Sequence, residues 1–79
     1  MKVEKITGRR DYMDVHFDDG RVARFIGELI VGGFVAFTSS LREWKEPEGT
    51  PITDEEKEEI INAVKERQKA SKMKILLEQ

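Results

Sequence analysis

Residues 44–67 read WKEPEGTPITDEEKEEIINAVKER, a stretch that holds the only tryptophan, both prolines and the clearest helix start in the chain. Thr53 stands three residues before Glu56, the spacing at which a hydroxyl and a carboxylate can each accept a hydrogen bond from a free backbone amide of the first turn. Acidic residues crowd the first turns and basic residues follow later, which complements the helix dipole. The pattern predicts an amphipathic helix over about residues 53–70.

The apolar stripe of this helix is short. Ile60, Ile61 and Val64 recur at helical spacing, with polar residues around them. Because a short helix is stabilised mainly by packing of its apolar face, it must lie on a larger apolar surface. Upstream, Met13 and Val15 alternate with polar residues, which is the period of a half-buried strand and provides such a surface.

The turn at residues 18–20, Asp-Asp-Gly, allows two hairpin registers. A two-residue loop would turn the charged Arg24 and Glu28 toward the core. A three-residue loop with Gly20 in the left-handed conformation instead places Phe17 and Phe25 on the same face and buries no charge apart from one arginine at the hairpin end. Since a slip of one residue turns every side chain to the opposite face, we predict the second register.

Further strands are predicted on both sides of this hairpin. Residues 2–7 form a weak strand pattern, and residues 34–39 carry large apolar groups on both faces, which indicates a central strand or one covered on both sides. Residues 72–78 are ambiguous: a continued helix would expose most of their apolar side chains, unless that end is a dimer contact, whereas a strand places Met73 and Ile75 on one face. We predict an α+β fold: an antiparallel β-meander of three to four strands, one helix packed on one face, and a closing C-terminal strand at about 72–78.

Length and composition predict a single domain over residues 1–79 with a small core. The chain has no cysteine, which excludes disulfides and thiolate metal sites. We see no secretory leader or membrane span and expect a cytoplasmic protein. The net charge of −2 is unevenly distributed, because residues 43–59 contain eight acidic and two basic residues while residues 65–79 contain five basic and two acidic ones. One end of the molecule should therefore be acidic.

No pattern indicates an enzyme, a metal site or a cofactor. His16 is the only histidine and lies beside acidic residues on a predicted strand, and Ser39-Ser40 lacks the glycine elbow of a hydrolase. Four arginines and Tyr12 could form a basic strip for nucleic acid, but aspartates alternate with them. Cross-strand ion pairs explain these arginines better, so nucleic-acid binding is disfavoured.

A larger set of short motifs occurs in a defined order. They are Tyr12, the turn Asp19-Gly20, Gly27-Glu28-Leu29, residues 34–40 (FVAFTSS), Trp44 with Pro47, and residues 52–57 (ITDEEK) leading to Ile60-Ile61. This order resembles the immunity protein 74 family of bacterial polymorphic toxin systems. The resemblance implies an α+β fold whose characteristic positions are Tyr12, Glu28, Trp44 and Pro47. It also implies a non-enzymatic protein that neutralises a cognate toxin by binding it.

The acidic run is our candidate for the surface that binds a partner. The candidate contact residues are Trp44, which lies within the run, and the glutamates Glu43, Glu46, Glu48, Glu55 and Glu59. Toxins of this kind are often nucleases with basic substrate clefts, which an acidic surface could occupy. Two alternatives stay open: the acids only cap the helix and keep the protein in solution, and Trp44 closes one end of the core. Alternatively, the chain is a small β-rich module that associates with itself, for example as a homodimer. Its function would then be an assembly or nucleic-acid accessory role.

Overall fold

The computed structural model describes residues 1–79 and contains five strands, one α-helix and one short 3-10 turn. The elements in chain order are β1 (Val3–Gly8), β2 (Tyr12–Phe17), β3 (Val22–Ile30), β4 (Gly33–Phe37), the 3-10 turn (Thr38–Ser40), α1 (Asp54–Gln68) and β5 (Lys74–Glu78). The strands lie in one sheet in the order β1-β2-β3-β4-β5. The predicted α+β class is confirmed, with four strands in the meander and the closing strand as the fifth.

The first three strand pairings are antiparallel, whereas β5 joins β4 in parallel. Parallel neighbours need a long crossover connection, and α1 with its flanking loops provides it. The prediction of a closing C-terminal strand is confirmed, and the alternative of a continued helix is excluded. The sequence pattern did not predict whether β5 runs parallel or antiparallel to β4.

The register of the β2–β3 hairpin is the predicted one. Gly20 has a φ of +90°, and Val15 pairs with Ala23 across the strands. Phe17 is 2% exposed and Phe25 is fully buried, and both belong to the same core cluster. The left-handed glycine thus sets which face of the hairpin is apolar.

The helix begins where the capping box predicts. The Thr53 hydroxyl oxygen accepts a hydrogen bond from the Glu56 N–H (3.1 Å), and the Glu56 carboxylate accepts one from the Thr53 N–H (3.0 Å). Ile60 and Val64 are fully buried against the sheet, and Ile61 packs at the edge of the core. The helix is thus amphipathic and covers one face of the sheet, as predicted.

Two predicted strand limits differ from the structure. β5 begins at Lys74, two residues later than predicted. The strand predicted over 34–39 ends at Phe37, because the chain turns there and the Ser40 hydroxyl donates a hydrogen bond to the Phe37 carbonyl oxygen (2.6 Å). β4 is an inner strand of the sheet, yet only one of its faces is fully buried.

The topology gathers charges of opposite sign at two ends of the molecule. The β2–β3 turn and the start of α1 lie at one end, which we call the acidic end; it includes residues 43–59, with a local charge of −6. The β1–β2 and β3–β4 turns and the start of β5 lie at the other, where Gly33 pairs with Lys74. We call this the basic end, because Arg9, Arg10 and Lys74 occur there.

Candidate functional site

The loop that precedes α1, residues 41–53, is held in place by backbone hydrogen bonds. The Trp44 N–H donates to the Thr50 carbonyl oxygen at 2.8 Å, which closes the loop on itself. The Val22 N–H donates to the Glu46 carbonyl oxygen at 3.0 Å, which joins the loop to β3. The acidic end is therefore built on fixed backbone.

Trp44 lies inside the core and is only 3% exposed. Its ring packs edge-to-face against Phe17, with ring centroids 6.0 Å apart, and the Arg21 guanidinium lies 4.6 Å from the Trp44 ring centroid. Of its two predicted roles, the geometry favours closure of the core. Trp44 supports the loop from beneath and is not an exposed anchor for a partner.

The other residues of the candidate surface are glutamates, and all of them are exposed. None belongs to any of the four ion pairs in the chain. Glu43, Glu46 and Glu48 lie on the loop, and Glu55 and Glu59 lie on the first turns of α1. The fold therefore brings these five carboxylates to one end, where they face solvent.

Arg21 is the cation that joins the hairpin turn to the helix start. It contacts Asp19 at 2.7 Å and Glu56 at 3.2 Å. The hydrogen bond from the Arg21 side chain holds the pKa of Asp19 below its ordinary value of 3.8 and raises the pKa of Arg21. The Thr53 N–H, with smaller contributions from the Thr53 hydroxyl and Arg21, lowers the pKa of Glu56 below its ordinary 4.5. The Arg21–Glu56 pair was not predictable from the sequence, because no local pattern links residues so far apart.

Tyr12 and Glu28 lie near each other on the sheet face opposite the helix, where they line one open cleft together with Arg9 and Arg10. The Arg24 guanidinium lies 3.8 Å from the Tyr12 ring centroid. Glu28 is exposed, whereas Trp44 and Pro47 lie at the acidic end. The positions that the family resemblance marks as characteristic thus fall at two separate places.

Arg24 also makes a two-point ion pair with Asp14, with N–O distances of 2.7 and 2.9 Å. The two residues are direct cross-strand neighbours. Cross-strand ion pairs were predicted for all four arginines, but only Arg24 forms one. Arg21 pairs with the turn and the helix, and Arg9 and Arg10 form no ion pair.

The residues able to carry chemistry have local structural partners. The His16 Nε2 and the Thr7 hydroxyl oxygen are hydrogen-bonded at 3.0 Å. The Ser40 hydroxyl accepts a hydrogen bond from the Ile26 N–H of β3 at 2.9 Å and donates one to the Phe37 carbonyl oxygen of β4. No cluster of three or more His, Cys, Asp or Glu residues could hold a metal ion. The one helix is neither long nor apolar enough to cross a membrane.

The basic end has an apolar surface of its own. Leu29 is 52% exposed and Met73 is 48% exposed, and both line a groove that ends at Arg9 and Arg10. Val31, at the tip of the β3–β4 turn, is completely exposed. The molecule therefore offers two different surfaces to partners, one acidic and one apolar with a basic rim.

These features define a small α+β protein with an acidic surface built on hydrogen-bonded backbone. The chain belongs to the immunity protein 74 family, whose model matches residues 5–78. Neither the curated proteins nor the solved structures include a significant match. Family membership implies a toxin as partner.

Proposed function

We propose that this protein neutralises a cognate bacterial toxin by binding it directly, without catalysis, in the cytoplasm of the cell that makes both proteins. Family membership supports the class of partner. The observation that carries the proposal is the set of five exposed, unpaired glutamates on fixed backbone. A surface whose backbone is already ordered loses little conformational entropy on binding.

The acidic end is large enough for this role. A specific interface buries about 800 Å² on each partner. The accessible surface of the chain is 5412 Å², so such an interface would take about one-seventh of it. Residues 43–59 and the neighbouring hairpin turn can provide that area without rearranging the core.

The charge of this surface favours a partner with a basic cleft, such as a nuclease toxin. Carboxylates that face solvent attract a basic cleft over a distance, which raises the association rate more than the final affinity. Screening by salt weakens this attraction. Binding by the acidic end should therefore slow markedly as ionic strength rises.

The first experiment asks whether the partner exists. The tagged protein is co-expressed with an inactivated product of the adjacent gene, and the complex is isolated and its stoichiometry measured. We expect a stable complex and protection of cells from the active toxin. If the adjacent gene encodes no toxin and no product encoded nearby binds, the proposal loses its support.

The second experiment locates the surface by changing Glu46, Glu55 and Glu59 together to Gln. We expect slower association with the toxin, with a larger effect at low salt than at high salt. The matched control changes Glu4 and Glu66 to Gln and Asp11 to Asn, which alters net charge equally but lies outside residues 43–59. Equal effects of the two triple variants would contradict a localised acidic surface.

Self-association is a second candidate function, favoured by the exposed Ile26, Leu29 and Ile30 on the sheet and by the free edge of β5. It would suit an assembly or nucleic-acid accessory role. The mass in solution, measured against protein concentration, tests it. A strict monomer without affinity for DNA or RNA at low salt would contradict it.

A further inference from the structure

The outer edge of β5 has no partner within the chain. β5 is the last strand of the sheet and pairs only with β4. The Lys74 N–H donates to the Gly32 carbonyl oxygen, so the backbone groups of Lys74 point toward β4. Because successive residues of a strand turn these groups to alternate sides, those of Ile75 and Leu77 point outward. An additional strand could form hydrogen bonds with them.

Such an edge usually carries features that prevent pairing, and the two edges of this sheet differ in that respect. The register of β1 against β2 shifts between Val3 and Lys5, and irregularities of this kind disfavour addition of a strand. β5 has an unbroken register from Lys74 to Glu78. Its charged residues are one lysine and one glutamate, at its two ends.

The sequence of β5, KILLE, is complementary to itself when reversed. In an antiparallel pair centred on Leu76, each Lys74 lies opposite Glu78 of the other copy. Ile75 lies opposite Leu77, which lets their outward backbone groups exchange hydrogen bonds. Lys74 of one copy and Glu78 of the other would form a non-hydrogen-bonded pair, the type of antiparallel pair in which the two side chains are closest. Both are exposed and neither has an ion-pair partner within the chain.

We propose that two copies of this protein pair through β5 about a two-fold axis at Leu76, forming one continuous ten-stranded sheet with Lys74–Glu78 ion pairs between the copies. The interface is isologous, as closed dimers require. It rests on the self-association named as the second candidate function and is independent of toxin binding. A single pair of short strands buries less area than a standard interface, so the dimer is weak and depends on concentration.

The test uses charge reversal in the full-length protein, with sedimentation equilibrium from micromolar to millimolar concentration. The dimer contains two Lys74–Glu78 pairs, and either Lys74→Glu or Glu78→Lys alone places like charges opposite one another in both. Each single variant should therefore raise the dissociation constant of the dimer by about tenfold or more. The variant with both changes restores the pairs and should dimerise like the original. A mixture of the two single variants should form the heterodimer, which also shows that both are folded. Lys5→Glu, a reversal on the other edge strand, is the matched control.

The outcomes separate this interface from others. A monomer at every concentration would contradict both the interface and self-association itself. A dimer that persists equally in the single variants would contradict pairing through β5 and leave the exposed apolar surface as the contact. Failure of the double variant and of the mixture to dimerise would contradict the antiparallel register. Slowed amide exchange of Ile75 and Leu77 at high concentration is the expected backbone signature.

Discussion

At the scale of single residues, Trp44 and Arg21 hold the acidic end together. Trp44 packs on Phe17 from the hairpin, and Arg21 covers the Trp44 ring while contacting Glu56 on the helix. The sequence indicated that Trp44 was either a core residue or a partner contact. It could not decide between them, because the residues that enclose Trp44 come from an element far away in the chain.

The burial of Trp44 leads to a stability prediction. Trp44→Ala should lower the free energy of unfolding by about 3–5 kcal/mol, because removal of a buried aromatic side chain leaves a cavity. Urea unfolding followed by circular dichroism measures this, since Trp44 is the only tryptophan and its fluorescence is lost in the variant. Trp44→Phe, which keeps a ring in the cavity, should cost less. A loss for Trp44→Ala below about 1 kcal/mol would place Trp44 outside the core.

At the scale of elements, the predictions succeeded where local chemistry specifies the structure. The capping box at Thr53 set the start of α1, and Gly20 together with the cost of buried charge set the hairpin register. The parallel pairing of β5 was not predictable in the same way. Its orientation depends on how α1 crosses the sheet, and the five residues of β5 carry no signal of direction.

The capping box makes the stability of α1 depend on pH. The pKa of Glu56 is lower in the folded protein than its ordinary 4.5. A carboxyl group of this kind stabilises the fold when it is ionised. Its contribution is therefore present above about pH 4.5 and is lost as the pH falls through the folded-state pKa.

We therefore expect Glu56→Gln to be less stable than the original protein at neutral pH and to lose less stability on acidification. Thermal unfolding between pH 7 and pH 3 measures the difference. Glu58→Gln, on the same helix but outside the capping box, is the control and should follow the original protein. Parallel pH profiles for Glu56→Gln and the original protein would show that the carboxylate does not stabilise the helix start.

At the scale of the whole molecule, the acidic run and a cluster of basic residues lie at opposite ends. The sequence predicted one acidic end from the run at residues 43–59. It did not show that Arg9 and Arg10 join the basic C-terminal residues beside an apolar groove, because only the meander topology brings these segments to one end. The acidic end is the surface on which the proposed toxin binding depends.

The most direct test of that dependence is a titration of the isotope-labelled protein with inactivated cognate toxin, followed by amide NMR signals. We expect the signals of residues 41–59 to change at substoichiometric toxin, while those of Ile26 and Ile30 on the far face of the sheet stay in place. Changes confined to the sheet face, with residues 41–59 unaffected, would contradict the acidic end as the toxin-binding surface.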